Sequence, residues 1–288
     1  MKIFKFIISI LIIAVILGAV FQYYQNQQNA PPETPDLNYL EVKFFDLGQA
    51  DCTLIRNGTQ TMLIDAGTNQ TSSKLVGILK NLGISSINVL IGTHPHEDHI
   101  GGMDAVIKQF KIDSIYMPDV VTTTETFSDV LEAIEAKGLK ISHPEAGTAF
   151  ELGSARFDFL APNSTHYEDI NNYSIVIKLV FGKNSFLFMG DAENVSEQEM
   201  LAKQYDLKAD VLKVGHHGSN SSTGVDFLKA VSPRYAVIFV GKDNDYGHPS
   251  TQTLQKLIEN DIQIFRTDLN GTVTFKSDGN ILTIATEK

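Results

Sequence analysis

His94-Pro95-His96-Glu97-Asp98-His99 follows the apolar run Val89-Leu90-Ile91-Gly92 and is itself followed by Ile100-Gly101-Gly102. Six residues hold three of the eight histidines and two carboxylates. Imidazole and carboxylate together are ligands for zinc, manganese or iron. A strand that ends in a tight loop lets alternate residues face one way, so His94 and His96 can share one ion. Asp98 and His99 then point elsewhere and can hold a second. Gly101 and Gly102 allow the backbone to turn closely beside them. A polar loop with coincidental histidines is the competing reading, and solvation alone gives no reason for three imidazoles in six positions.

Outward from this loop, short apolar runs alternate with amphipathic stretches. The pattern predicts strands at 40–45, 52–56, 61–64, 89–92, 114–117, 155–160, 173–181, 185–189, 211–214, 235–240, 263–265, 272–276 and 281–285. It predicts helices at 73–82, 104–110, 124–137, 196–204, 224–231 and 251–259, with Gly138 closing the third of them. A strand-rich start followed by strand–helix alternation in each half implies α/β architecture: two packed sheets with helices outside. No linker interrupts residues 39–288, which are therefore read as a single domain.

The first 38 residues are different. Phe6–Phe21 is uncharged and apolar apart from Ser9, and Lys2 and Lys5 precede it. That is the composition of an uncleaved membrane anchor or a cleaved export signal, spanning 1–24 as an N-terminal apolar helix. The lysines keep the N-terminal end cytoplasmic and send the rest outside. Residues 25–38 are a polar, proline-containing linker. The domain is expected on the outer face of the cytoplasmic membrane, held through residues 6–21, or secreted if the segment is removed.

Composition narrows the chemistry. The 288 residues carry 23 basic and 34 acidic side chains, a net charge of −11, and one cysteine. Both lysines of the first 30 residues lie in a stretch without acid, which leaves the remainder at −13. A single cysteine excludes a disulfide framework and a cysteine-cluster zinc site. The acidic balance opposes a broad basic face for nucleic acid, although a bound metal can reverse the charge of one cleft.

The histidine loop resembles the H-x-H-x-D-H signature of the metallo-β-lactamase superfamily. Further stretches are similar to one branch, the soluble nuclease-like domain of the ComEC competence proteins. These are Phe45–Asp51, Leu63-Ile64-Asp65-Ala66-Gly67, Asn171–Ser174, Met189-Gly190-Asp191-Ala192-Glu193, Val214–Ser219 and Tyr246-Gly247-His248-Pro249. The resemblance implies an αββα sandwich and one or two divalent ions, Zn²⁺ or Mn²⁺. It gives Asp191 the role of bridging two metals; the plainer role is an N-cap for the next helix. It places a second-metal histidine at His216-His217. Adjacent residues on an extended segment face opposite ways, so one binds metal and the other faces substrate or packs. His217 is favoured as ligand and His216 as a catalytic or phosphate-contacting group, with Asp98 also in the catalytic set. The ligand sets implied are His94, His96 and Asp191, and Asp98, His99, Asp191 and His217.

The chain departs from the wider family where a third histidine for the first metal is common. Asn171-Asn172 stands there, so Asn172 or water would complete that site, which favours manganese tolerance. Asp65 is expected to support a ligand imidazole, against a plain turn-forming role. Ser219, Asn244, Tyr246 and His248 are expected on the same rim, contacting phosphate oxygens.

Together these features predict an exported metal-dependent hydrolase, with a phosphodiester, nucleic acid included, as the favoured substrate. The alternatives are a small phosphodiester of phosphocholine-ester type, a lactone or β-lactam, and a non-catalytic metal-containing binding module. No obligate protein partner is implied.

Overall fold

A computed structural model describes Gly18 and residues 39–288. The expected export or anchor segment and the linker lie outside the described residues, Gly18 apart. Among the described residues, no helix is long and apolar enough to cross a membrane.

Fifteen strands are described, in two sheets. They are β1 (Leu40–Phe44), β2 (Thr53–Asn57), β3 (Gln60–Ile64), β4 (Ser86–Ile91), β5 (Lys111–Tyr116), β6 (Ile141–Ser142), β7 (Ala149–Leu152) and β8 (Ala155–Ala161). Then come β9 (Val176–Phe181), β10 (Asn184–Phe188), β11 (Val211–Lys213), β12 (Tyr235–Ile238), β13 (Gln263–Arg266), β14 (Val273–Ser277) and β15 (Leu282–Thr286). The first sheet has the order β15-β14-β1-β2-β3-β4-β5-β6 and the second β13-β12-β11-β10-β9-β8-β7. Each is antiparallel on one side and parallel on the other. β3 to β6 run parallel, as do β10 to β13.

Side-chain alternation explains the layering. In β1, Leu40, Val42 and Phe44 are buried while Glu41 and Lys43 are half-buried. The buried set joins Ile55, Met62, Phe157, Phe186, Phe188, Phe239 and Phe275 in a core between the sheets. Parallel strands are covered on both faces and read as continuous apolar runs. Thus Val89 and Ile91 of β4 face the other sheet, and Leu90 packs under helices with Leu75, Leu79, Val106 and Ile107. A third cluster, around Leu187, Leu212, Phe227, Ala236 and Leu257, seals the second sheet beneath its own helices. The result is the expected αββα arrangement, and Leu37–Lys288 forms one compact unit.

Strand order places the chemistry. The parallel strands β4, β5, β10, β11 and β12 all end at one rim, and ligand sites lie outside the carboxyl ends of such strands. The loops at 92–102, 117–124, 189–193, 214–224 and 239–250 leave from those ends. One expected boundary needs correction: Tyr173 does not begin a strand. Ile170–Tyr173 forms a 3₁₀ turn, capped by the Asp169 side chain on the Asn171 N–H, and β9 starts at Val176.

Candidate metal centre

The histidine loop leaves β4 and turns into a one-turn helix, Glu97–Ile100. Its tight path depends on small residues. A Cβ on Gly101 would lie 2.3 Å from the Asn69 nitrogen, and one on Gly102 2.3 Å from the Ala66 carbonyl. No side chain fits there, so the turn brings His99 against Asp65. The Asp65 carboxylate accepts from the Thr93 N–H at 2.8 Å, from the Thr93 hydroxyl at 2.8 Å, and from His99 Nδ1 at 2.8 Å. Asp65 itself stands at φ 59°, in the left-handed region that short polar side chains tolerate. The Asp65 carboxylate thus holds the His99 imidazole at Nδ1.

With its Nδ1 engaged, His99 turns Nε2 inward, where that buried nitrogen has no hydrogen-bond partner. It lies 3.3 Å from Asp191 Oδ2 and 3.9 Å from Asp98 Oδ2. His217 Nε2 lies 3.1 Å from Asp98 Oδ2 and 3.5 Å from Asp191 Oδ2. His217 Nδ1 is held by the Phe239 carbonyl at 3.0 Å. Ligand atoms about 2.0–2.1 Å from a tetrahedral ion sit roughly 3.3 Å from one another. The four separations of 3.1–3.9 Å bracket that spacing, and both imidazoles have their far nitrogen fixed by an oxygen, as ligand histidines do. Asp98, His99, Asp191 and His217 therefore fit a divalent ion.

Asp51 is the other carboxylate here. Asp51, His99, Asp191 and His217 are all buried and offer ligand atoms within 4.8 Å of one another. Asp51 meets the histidines on their Nδ1 side, 3.4 Å from His217 and 3.9 Å from His99, where those nitrogens are already engaged. Its carboxylate pairs with the Lys213 ammonium. Asp98, which meets the free Nε2 atoms, is the better fourth ligand, and Asp51 stands behind the imidazoles.

Lys213 was not foreseen in the sequence. It is 2% exposed, donates to the Gly190 carbonyl at 2.6 Å, pairs with Asp51, and lies 3.5 Å from Asp191 Oδ1. Burial alone would lower its pKa, but Asp51 and Asp191 outweigh burial and keep the ammonium charged. Asp191 is likewise opposed by burial, yet His99, His217 and Lys213 hold it well below the usual carboxylate range. Lys213 lies on the Oδ1 side of Asp191, an oxygen without a hydrogen-bond partner, while Oδ2 faces the histidines.

His94 and His96 form a second pair, with His94 Nε2 2.9 Å from His96 Nδ1. His94 Nδ1 lies 3.2 Å from the Thr93 hydroxyl and 3.3 Å from that of Ser174. Burial pushes both imidazoles down in pKa, which keeps them neutral and able to ligate. Asn172, which with water was expected to complete this site, has its side-chain oxygen engaged elsewhere. The Asn172 side-chain oxygen accepts from the Glu193 N–H at 3.2 Å and the Ser196 N–H at 3.4 Å, so it secures the first turn of the helix Asn194–Ala202. That settles the competing role of Asp191 as well: Glu193 is the N-cap residue, and Asp191 is free of the helix.

His216 and His217 differ from expectation in backbone. They are not extended; φ is 45° and 49°, consecutive left-handed residues in the turn Gly215–Gly218. Such conformations cost of order 1–3 kcal/mol each and cluster at functional sites. The turn buries His217 and leaves His216 a quarter exposed. His216 Nδ1 is 2.9 Å from Glu193 Oε1, and its Nε2 is 4.0 Å from Asp191 Oδ2. Glu193 also accepts from the Ser221 hydroxyl at 2.5 Å.

Of the four residues expected to contact phosphate, two are spent inside their own loops. Ser219 Oγ lies 2.9 Å from Ser221 Oγ and accepts from the Ser221 N–H. Asn244 donates to the carbonyls of Gly241 and His248 and accepts from the His248 N–H at 3.1 Å. Tyr246 and His248 instead line a cleft of about 450 Å³ together with His96, Asp98, Asp191 and His216.

Comparison with known proteins places the fold. The chain is 32% identical over 263 residues to ComE operon protein 3 of Bacillus subtilis, covering 85% of this chain and 34% of that one. It is 30% identical over 274 residues to competence protein ComA of Neisseria gonorrhoeae, covering 91% and 35%. The chain thus spans about a third of the length of these curated relatives. In fold it is similar to the metallo-beta-lactamase fold protein YhfI from Bacillus subtilis, with a TM-score of 0.54 and 14% identity, over 83% of this chain and 100% of that one. The model of the Metallo-beta-lactamase superfamily matches residues 45–242. With the histidine loop, Asp191 and His217 gathered at one rim of an αββα sandwich, the chain belongs to the metallo-β-lactamase superfamily.

Proposed function

We propose that the chain is an exported metal-dependent phosphodiesterase that cleaves nucleic acid or a related phosphodiester. One observation carries the reading: Asp98, His99, Asp191 and His217 converge at ligand spacing beneath an open cleft, with His216 beside them. A divalent ion held there would supply a Lewis acid for a phosphoryl oxygen and an acidified water as nucleophile.

The chain's own groups do the rest. Asp65 and the Phe239 carbonyl orient His99 and His217 through their Nδ1 atoms. The Lys213 ammonium, 3.5 Å from Asp191 Oδ1, helps keep that carboxylate ionised. Glu193 holds His216 by Nδ1, so its Nε2 can hand a proton to the departing oxygen. His94 and His96 provide a second pair of neutral donors, for one further ion. Similarity to competence proteins supports a phosphodiester over an amide or lactone. The net charge of −11 favours short or small phosphodiesters over long tracts. The apolar segment at 6–21 would hold the domain to the outer face of the membrane, or would be removed on secretion.

A substrate panel on protein reconstituted with Zn²⁺ or Mn²⁺ tests the proposal. It comprises a single-stranded oligonucleotide, bis-p-nitrophenyl phosphate, a phosphocholine ester, a lactone and nitrocefin. The phosphodiesters should turn over, and Asp191→Ala should abolish turnover while circular dichroism stays native. Rapid lactone or nitrocefin hydrolysis without phosphodiester cleavage would overturn the substrate choice. Full metal occupancy without any hydrolysis would favour a binding module.

A further inference from the structure

Tyr246 stands at the mouth of the cleft and is 74% exposed. Its ring lies 5.9 Å from that of His248, and the planes differ by 21°. His248 in turn lies 6.3 Å from the ring of His217, again at 21°, and meets His216 edge-on at 5.3 Å. The rings therefore step outward from the candidate ligand His217 through His248 to Tyr246. One face of Tyr246 is backed by His248, and most of the rest meets solvent. The backing is fixed, because Asn244 clasps the loop through the Gly241 carbonyl and both backbone polar groups of His248.

A large aromatic surface held beside a catalytic cleft suits a flat partner. A net charge of −11 opposes holding a polyanion through many phosphate contacts. Stacking of bases on aromatic rings is the other general source of affinity for nucleic acid strands, and it tolerates any sequence. A quaternary ammonium group fits less well. It is held by several aromatic faces around one cation, whereas Tyr246 offers a single face backed by an imidazole.

We propose that Tyr246 is a stacking platform for the nucleobase next to the scissile phosphate, so the site selects unpaired strands. This rests on the phosphodiesterase reading and names its substrate class. A base within a duplex has both faces covered and must be unstacked before it can reach the ring. An unpaired base meets Tyr246 without that cost.

The test compares metal-reconstituted wild type, Tyr246→Ala and Tyr246→Trp on three substrates. These are a single-stranded oligonucleotide, its duplex, and the same strand with abasic sites around the cleaved bond. Binding of the labelled strand to Asp191→Ala, with and without the Tyr246 change, is followed by anisotropy. Wild type should prefer the single strand over both duplex and abasic strand. Tyr246→Ala should raise KM and Kd for the base-bearing strand by on the order of tenfold and erase its advantage over the abasic strand. Tyr246→Trp should restore that advantage. Three results would overturn the platform: a base-bearing KM indifferent to Tyr246, an equal rise on the abasic strand, or equal use of duplex. If wild type cleaves no oligonucleotide but Tyr246 governs a phosphocholine ester, the aromatic face serves a cation. If wild type cleaves no phosphodiester at all, the failure lies in the functional reading beneath.

Discussion

Lys213→Met removes one charge from the most enclosed ionic group beside the metal centre. The methionine keeps most of the volume at a 2%-exposed position. It leaves the Asp51 carboxylate, 4% exposed in its side chain, without its cation, and the Gly190 carbonyl without its donor. Breaking a buried ion pair from one side costs about 3–5 kcal/mol, because the surviving charge stays buried and uncompensated. In a domain of this size, each kcal/mol moves Tm by about 2–4 °C. The metal-free variant should therefore melt roughly 6–20 °C below wild type. Removing the stranded charge should recover part of the loss, so Asp51→Asn combined with Lys213→Met should melt above Lys213→Met alone. Scanning calorimetry of the three metal-free proteins at one pH is the assay. A Lys213→Met midpoint within about 2 °C of wild type would refute the reasoning. So would a double variant less stable than the single one.

Three further outcomes follow from particular contacts. Asp65→Asn keeps a side chain that tolerates the left-handed φ of 59° but offers one acceptor oxygen where three bonds now converge. Metal affinity measured by calorimetric titration should fall about 10–100-fold, and an unchanged affinity would count against the orienting role. Glu197 is buried under the loop at 219–224, where its carboxylate accepts from the N–H groups of Thr223 and Gly224. Burial pushes its pKa up to about 7 from the ordinary 4.5. A folded value above the unfolded one means stability is fully present below about pH 4.5 and is lost as pH rises through 7, by on the order of 3 kcal/mol. Glu197→Gln, which does not titrate, should show a smaller fall in its urea midpoint between about pH 5 and pH 8; parallel curves would refute this. Phe275→Ala opens the core between the sheets, where the ring meets those of Phe44, Phe186, Tyr235 and Phe265 at 5.8–6.0 Å. It should cost about 3–5 kcal/mol in urea unfolding, and a loss below about 1 kcal/mol would mean the core is slack there.

Much of the architecture could be read from the chain because its periodicities are strong. The thirteen strands expected from apolar runs are all present, mostly within a residue or three at each end. The two that escaped notice, β6 at 141–142 and β7 at 149–152, are short edge strands in which only Leu152 is buried, too little for an apolar run to stand out. The one-turn helix Glu97–Ile100 also escaped, being shorter than the helical period can reveal. Histidine spacing pointed to the cluster, since the loop geometry follows from a strand end and two glycines. Lys213 could not be found that way. In sequence it is one more lysine, and only the folded chain shows that it faces Asp191 and, from the chain's other half, Asp51. Asn172 shows what spacing does not reveal: its side-chain oxygen accepts from the first N–H groups of the helix after Asp191. The His216-His217 pair was read as extended because left-handed residues in succession leave no trace in composition.

Charge takes a different meaning once the site is seen. Four aspartates, Asp51, Asp65, Asp98 and Asp191, surround the histidines, so part of the acidic count faces the histidine cluster rather than solvent. Lys213 offsets one of them permanently, and a divalent ion would offset the others.

The most direct test of the central claim is to titrate Mn²⁺ or Zn²⁺ into metal-free protein while following bis-p-nitrophenyl phosphate cleavage and bound metal together. The account predicts that cleavage rises with occupancy and saturates with it, and that Asp191→Asn loses both. Metal bound in full by Asp98, His99, Asp191 and His217, with no cleavage at any occupancy, would contradict it.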